Sequence, residues 1–370
     1  MLSVNVKTEE QLITDMLGNI SNVYEKSKGY PTYDITKTNA IELAELYQYA
    51  LSIANLRLVK DLTGDDLTAR VYDNKGIVRK VATRAKVILT LTGTGTINKE
   101  DLFSTPNKIE FASLEKKQIE GTGTILAECT RVGNIGMVGA NSITEFPITI
   151  AGITEVINLE ASYDGFEEET DEALKQRYYE SLKNPITSNN QAHFIYWAKS
   201  VTGVGNAKVI PLWNGDLTVK VIIIDSNMQP ASVDLVNTVQ EYIDPKGTFD
   251  SNTNTWRLWG TGAGASAIGN YCTVVSATAK NIDLECSITK ANGYSDEEIK
   301  NNISTKITEY LKEIAFPTTI NYVSHAKIIS LILSADGVLD AQNVKVNGSL
   351  SENVIIGEEE VPIMGAVTLI

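Results

Sequence analysis

Three stretches of this chain carry residue types that could do chemistry. The first is an acidic run, Asp164-Gly165-Phe166-Glu167-Glu168-Glu169-Thr170-Asp171-Glu172. Clustered carboxylates can bind a hard cation or flank a glycosidic bond. Calcium loops space their oxygens as Asp-x-Asp-x-Asp-Gly, and that spacing is absent. A glycosidase pair must face each other across a cleft, which is a tertiary property. Carboxylates entering a first helical turn complement the helix dipole, and the run reads most simply as a solvated helix start.

The second stretch is Gly260-Thr261-Gly262-Ala263-Gly264-Ala265-Ser266-Ala267-Ile268-Gly269, glycine-rich as nucleotide loops are. A dinucleotide loop follows a strand, opens a helix and has an acidic residue about 20 positions later. Here β-rich sequence follows the glycines, and no Gly-Lys-Ser/Thr exists for a phosphate loop. The stretch reads as a flexible connector. The third candidate is histidine, of which there are two, His193 and His325. His193 and Trp197 are one helical turn apart and able to stack, but neither histidine lies in a HExxH or nucleophile motif. Cys129, Cys272 and Cys286 are widely spaced, without a CxxC pair, and read as buried thiols of a protein made in a reducing cytoplasm. The expectation is no catalytic residue, no metal and no cofactor.

The elements that carry these residues fall into blocks. Up to about residue 78 the pattern is helical: Thr8-Glu9-Glu10-Gln11 has capping-box spacing, and a longer helix starts near Thr38. That helix carries apolar residues on more than one stripe. With little sequence nearby to cover them, Leu43, Leu46, Tyr47, Ala50, Ile53 and Ala54 are expected to pack against another chain. From Val81 to about Leu159, alternation and Thr/Val/Ile enrichment predict short strands. A pentapeptide recurs there, Gly93-Thr94-Gly95-Thr96-Ile97 and Gly121-Thr122-Gly123-Thr124-Ile125.

A larger recurrence follows. A helix ending in Gly-Val and leading into β-rich sequence occurs at Gln191–Val204 and again at Ala326–Val338, an offset of 337 − 203 = 134 residues between the two glycines. That is too long for a solenoid period, so it points to two related modules. The expected fold class is α+β, with N-terminal helices, a central β-rich domain and two related C-terminal α/β sandwich modules with antiparallel sheets. The expected boundaries are 1–78 for the helical segment, 79–160 for the β domain, 161–245 for the first module, 246–270 for a Gly-rich connector and 271–370 for the second module. The helix of Trp197, or the connector with Trp256 and Trp259, is expected at a contact between subunits.

The formal net charge of −14 argues against a nucleic-acid partner and against a basic membrane-surface protein. No signal peptide is visible, and no apolar stretch approaches the roughly 20 residues of a spanning helix.

Several of these residues resemble the Baseplate J-like family. The similarity is carried by Thr63-Gly64-Asp65-Asp66-Leu67, Gly76-Ile77-Val78-Arg79 and Leu91-Thr92-Gly93. It continues through Gly133-Asn134-Ile135-Gly136, Ala151–Asn158 and the run from Asp164 to Arg177. Tyr196-Trp197-Ala198, Gly203-Val204 and Ala207–Pro211 then match the family's most recognisable stretch. The order and spacing of these motifs are specific, and they extend from about residue 60 to the end. The acidic signature departs in a turn, with Asp164-Gly165-Phe166 where the family often has more glycines.

The resemblance implies a structural wedge protein of a contractile tail or tailocin baseplate, forming a ring around the central hub with two copies per wedge. It implies N-terminal helices bundled with another wedge protein, contacts to hub and sheath-initiator proteins, and residence in the particle after assembly in the host bacterial cytoplasm. The mechanism expected of such a part is rigid-body movement of its modules about Gly-rich connectors, with interfaces exchanging one packing for another between host contact and sheath contraction. The alternative is a tail-associated protein that binds or cleaves glycans.

Overall fold

The computed structural model describes residues 6–55, 58–183, 189–316 and 321–370. The chain divides into two units, Met1–Arg79 with Thr170–Glu180, and Lys80–Glu169 with Ser181–Ile370.

In the first unit, α1 (Glu9–Asn19) begins at the expected capping box. Thr8 Oγ1 accepts the Gln11 N–H, and the Gln11 side chain accepts the Thr8 N–H. Next, α2 (Pro31–Asn55) opens on a proline, which has no N–H to leave unsatisfied in a first turn. α3 (Gly64–Lys75) stops at Gly76, whose φ of 66° lets its N–H close on Tyr72 O. α4 (Asp171–Lys183) is the segment that returns to this unit after the β domain. Leu67 and Val71 on α3, Ile77 after it and Leu174 on α4 are all buried.

The second unit begins with a five-stranded antiparallel sheet. Its strands are β1 (Arg84–Ile97), β2 (Leu102–Ser104), β3 (Glu110–Ser113), β4 (Lys117–Val132) and β5 (Ile153–Ile157), in the order β2-β3-β4-β1-β5. Alternate residues Val87, Leu89 and Leu91 point into a core shared with Ile125, Ala127 and Cys129. The repeated pentapeptides meet across this sheet only at their first residues, Gly93 opposite Gly121. Their glycines do different work. A Cβ on Gly93 would meet Gly152 O at 2.2 Å and one on Gly95 would meet Ala151 O at 2.3 Å, whereas Gly121 faces open space. The first copy therefore lets the chain before β5 lie directly on β1.

The first module contains α5 (Gln191–Ser200), β6 (Val204–Pro211), β7 (Thr218–Asp225), α6 (Val233–Ile243), a small hairpin of β8 (Phe249–Asp250) and β9 (Thr255–Trp256), and β10 (Tyr271–Ser276). The second contains β11 (Thr278–Lys290), α7 (Asp296–Glu313), β12 (Tyr322–Val323), α8 (His325–Leu333), β13 (Val338–Val346), β14 (Val354–Ile355) and β15 (Glu360–Leu369). The α+β class is as expected. The sheets are not purely antiparallel: β7 pairs antiparallel with β6 but parallel with β10, and β11 pairs antiparallel with β13 but parallel with β15. In the first module α6 lies between β7 and β10 and lets β10 return in the direction of β7; in the second, β13 comes after α7 and α8 antiparallel to β11, and β15 follows it parallel to β11.

The Gly-Val recurrence has a spatial counterpart. Both α5–β6 and α8–β13 place a helix beside an edge strand that runs antiparallel to the central strand, with Gly203 at φ 96° and Gly337 at φ 88° making the turns. In the first module this pair precedes the central strand in sequence; in the second it follows. Only Ala277 separates β10 from β11, and the modules also share an apolar cluster of Ile222, Ile224, Ala277, Phe316 and Val361. β7 is thus buried on both faces, which explains its unbroken Val221-Ile222-Ile223-Ile224 run.

Candidate interaction surface

The 25 residues of α2 carry two largely apolar seams whose members are three or four residues apart. One consists of Thr36, Ala40, Ala44, Tyr47 and Leu51. Thr36 and Ala40 are buried and the other three half-buried. α1 packs on α2 and buries Leu12, so this is the seam it covers. The other seam consists of Leu43, Leu46, Ala50 and Ile53, all exposed, with Leu46 at 65% and Ile53 at 66%. Four apolar residues over two to three turns on the solvent side are what a helix offers to another helix. Of the six residues expected there, the structure brings Leu43, Leu46, Ala50 and Ile53 onto one open stripe. Tyr47 belongs to the covered seam, where the nearby Lys7 also senses it. The Ala54 side chain lies outside the described residues.

Three of the motifs that carry the family resemblance meet in this unit. Arg79 Nη2 lies 2.5 Å from Asp171 Oδ1, Arg79 Nε donates to Thr68 Oγ1, and Asp171 Oδ2 accepts the Gly64 N–H at 2.9 Å. The Arg79 guanidinium, and then the Gly64 N–H, hold the Asp171 carboxyl below the usual carboxylate range. Arg177 Nη2 donates to Val78 O at 2.7 Å. The acidic run is structural elsewhere too: Glu167 Oε1 accepts the Asn134 N–H and Glu169 Oε2 the Lys80 N–H.

The tryptophans separate. Trp197 is 7% exposed, edge-on to Phe194 in the first module's core, with His193 stacked on it at 3.8 Å. Its surface is spent inside the module, which removes it as a contact between subunits. Trp259 is half-buried and donates Nε1 to Cys272 O. Trp256 stays exposed on its hairpin beside Phe249, with Lys246 Nζ 5.9 Å from its ring. His325 is buried, its Nε2 3.1 Å from Val344 O, so it packs in the second module.

The glycine-rich stretch is not a flexible connector. The Asp244 carboxylate accepts the N–H groups of Gly260 and Cys272, and the Ala265 and Ser266 N–H groups donate to Tyr242 O and Ile243 O. A Cβ on Gly264 would meet Ile243 O at 2.6 Å, so small residues are required where this loop lies along α6. It returns the chain to β10, within the first module's own sheet.

A surface feature that escaped sequence reasoning is the β6–β7 hairpin tip. Leu212 and Leu217 both have positive φ, 56° and 62°, and both are exposed beside Trp213. Bulky residues held in the left-handed region store strain. The conformation of the residues flanking Asn214-Gly215-Asp216 depends on tertiary register.

Comparison with known proteins agrees with this architecture piece by piece. The Baseplate J-like protein barrel domain matches residues 87–165, the Baseplate J-like central domain residues 186–276, and the Baseplate J-like protein C-terminal domain residues 282–370. The phage-like element PBSX protein XkdT of Bacillus subtilis (strain 168) is 30% identical over 98% of this chain and 98% of its own length. Baseplate protein gp47 of Escherichia phage Mu is 26% identical over 46% of this chain and 50% of its own. A chain of the anti-feeding prophage baseplate superposes with a TM-score of 0.36 and 10% identity, covering 95% of this chain and 89% of that one, and nothing rests on that likeness. The matched domains fall in order on the β sheet and the two modules, and the full-length relative spans the helices as well: the chain belongs to the Baseplate J-like family.

Proposed function

We propose that this protein is a wedge component of a contractile tail or tailocin baseplate, set in the ring around the central hub and coupling host contact to sheath contraction. A structural part in a phage-type tail baseplate is the family's role; the wedge position and the coupling go further. The observation that carries the reading is the open stripe of Leu43, Leu46, Ala50 and Ile53 on α2. The small Ala50 between larger residues lets a second helix approach closely, and burial of the stripe contributes roughly 1.5–3 kcal/mol per large side chain. In this reading α2 enters a bundle with other copies, two per wedge, or with neighbouring wedge proteins, while hub and sheath-initiator proteins contact other surfaces. Exposed Trp256 is a further contact.

Replacing Leu46 and Ala50 together by Glu tests it. Co-expressed with the products of neighbouring tail genes, the native chain is expected to co-purify in a complex of defined mass by light scattering. The double variant should stay a folded monomer. Complexes of native mass from the variant would refute the bundle.

A further inference from the structure

The β domain meets the first module at a joint built on two acidic side chains. Asp164 leaves the β domain with a φ of 62°; its carbonyl accepts the Thr83 hydroxyl, and its Oδ2 accepts the hydroxyl of Ser232, the N-cap of α6. Asp225 ends β7 and is 6% exposed, its Oδ1 accepting the N–H groups of Asn227 at 2.9 Å and Gln229 at 2.8 Å. The turn it organises reaches back across the joint where Asn227 Nδ2 donates to Gly165 O, and is tied within its own module where the Ser226 N–H donates to Gly203 O. Beside it, Phe166 inserts into the first module's core beneath Gly203, where a Cβ would lie 2.7 Å from its ring.

Each charged group around the pair comes from a different element. Asp164 faces Lys86 of β1, Asp234 of α6 and Asp225; Asp225 faces Asp164 and, from the second module, Lys312 of α7. Lys86 is already paired with Asp234 at 3.6 Å. The two carboxylates therefore repel across a joint whose cations are few and partly engaged.

We infer that this joint is a proton-operated latch, closed while the Asp164–Asp225 pair holds a proton and loosened when both carboxylates are ionised. The proton sits on Asp225, and solvent takes it up as the joint opens and hydrates the side chain. Burial pushes Asp225 up to about 7, with Asp164 adding to the rise, and burial raises Asp164 as well. An opened joint returns Asp225 to an ordinary carboxylate near 4, so opening becomes about tenfold more favourable between about pH 6 and about pH 8.

Hydrogen–deuterium exchange on the full chain, corrected for intrinsic rates, reads this directly. Residues 162–168 and 224–232 should exchange about tenfold more readily at the higher pH, while the core strands of the second module hold constant. Asp225→Asn keeps the acceptor for both N–H groups and should leave the joint protected at both pH values. Equal protection of the native joint at both, or a tenfold difference that persists in the variant, overturns the latch. Should the variant fail to fold, carboxyl-labelled infrared spectra of the native chain decide. A protonated-acid band present at about pH 6 and lost at about pH 8 supports the proposal, and its absence at about pH 6 overturns it.

Discussion

Arg79 and Asp171 stand 92 residues apart in the sequence and form an ion pair at 2.5 Å, with side chains 13% and 22% exposed. The whole β domain is threaded between them. Arg79 also bonds Thr68 and Gly64 O, so one guanidinium ties the N-terminal part of α3 to the start of α4. Its planar fork suits several acceptors at once, which a lysine ammonium cannot match.

Arg79→Ala should therefore lower the melting temperature of the first unit, because Asp171 and the Gly64 carbonyl lose a charged donor. Arg79→Lys should recover only part of that. Thermal unfolding followed by circular dichroism checks both, and a native-like melting curve for Arg79→Ala would show that the pair is incidental. The Asp171 carboxyl is depressed in the folded chain, so what it contributes is present above the ordinary carboxylate range. That contribution is lost as acid takes pH down through the folded value.

The two seams of α2 should respond unequally in the isolated chain. Ala40→Leu overfills the covered seam and should destabilise by about 1–3 kcal/mol. Leu46→Ala removes an exposed side chain and should stay within about 0.5 kcal/mol of the native chain in urea unfolding. Equal effects would mean that α1 does not cover the side assigned to it.

Glycines of the repeated pentapeptide offer a second contrast. Gly93→Ala forces a methyl against Gly152 O and should destabilise by about 3 kcal/mol or more. Gly121→Ala meets no neighbour and carries only the strain of a φ of 77°, about 1 kcal/mol. The difference in urea midpoint at constant slope measures it.

Asp225 makes global stability depend on pH in an unusual direction for a carboxylate. Its folded value is raised to about 7 while the unfolded one lies near 4, so in that window the folded chain binds the extra proton. Stability from this group is unreduced below about pH 4, falls by at most about 1.4 kcal/mol per unit as pH rises towards about 7, and is level above that. Asp225→Asn should flatten this component and raise stability at about pH 8. Urea titrations at several pH values read the slope, and an unchanged slope in the variant would assign the effect to other groups.

Phe166 anchors the same joint by packing. Phe166→Ala should cost about 3–5 kcal/mol through the cavity left beneath Gly203. Unfolding monitored at a β-domain probe and at the core residue Trp197 should shift together if the joint is rigid.

Local signals fixed the elements because each rests on nearest neighbours in the chain. The Thr8 capping box and the Gly203 and Gly337 helix ends act within a few residues, and the alternation of β1 is a pattern of adjacent residues although its hydrogen bonds go to β4 and β5. The exposed stripe of α2 was readable for the same reason: its apolar residues outnumber what one short neighbouring helix can cover. The motifs of the family were equally plain as text, yet nothing in the text paired Arg79 with Asp171 or sent α4 back to the N-terminal unit. Long-range pairing decided the rest. Whether β10 runs parallel to β7, whether Gly260–Gly269 hangs free or lies along α6, and whether Trp197 faces a partner or a core all depend on which distant surface fills the space. Side-chain type alone does not carry that information, because burial and ladder direction are set by elements the chain reaches only after a crossover.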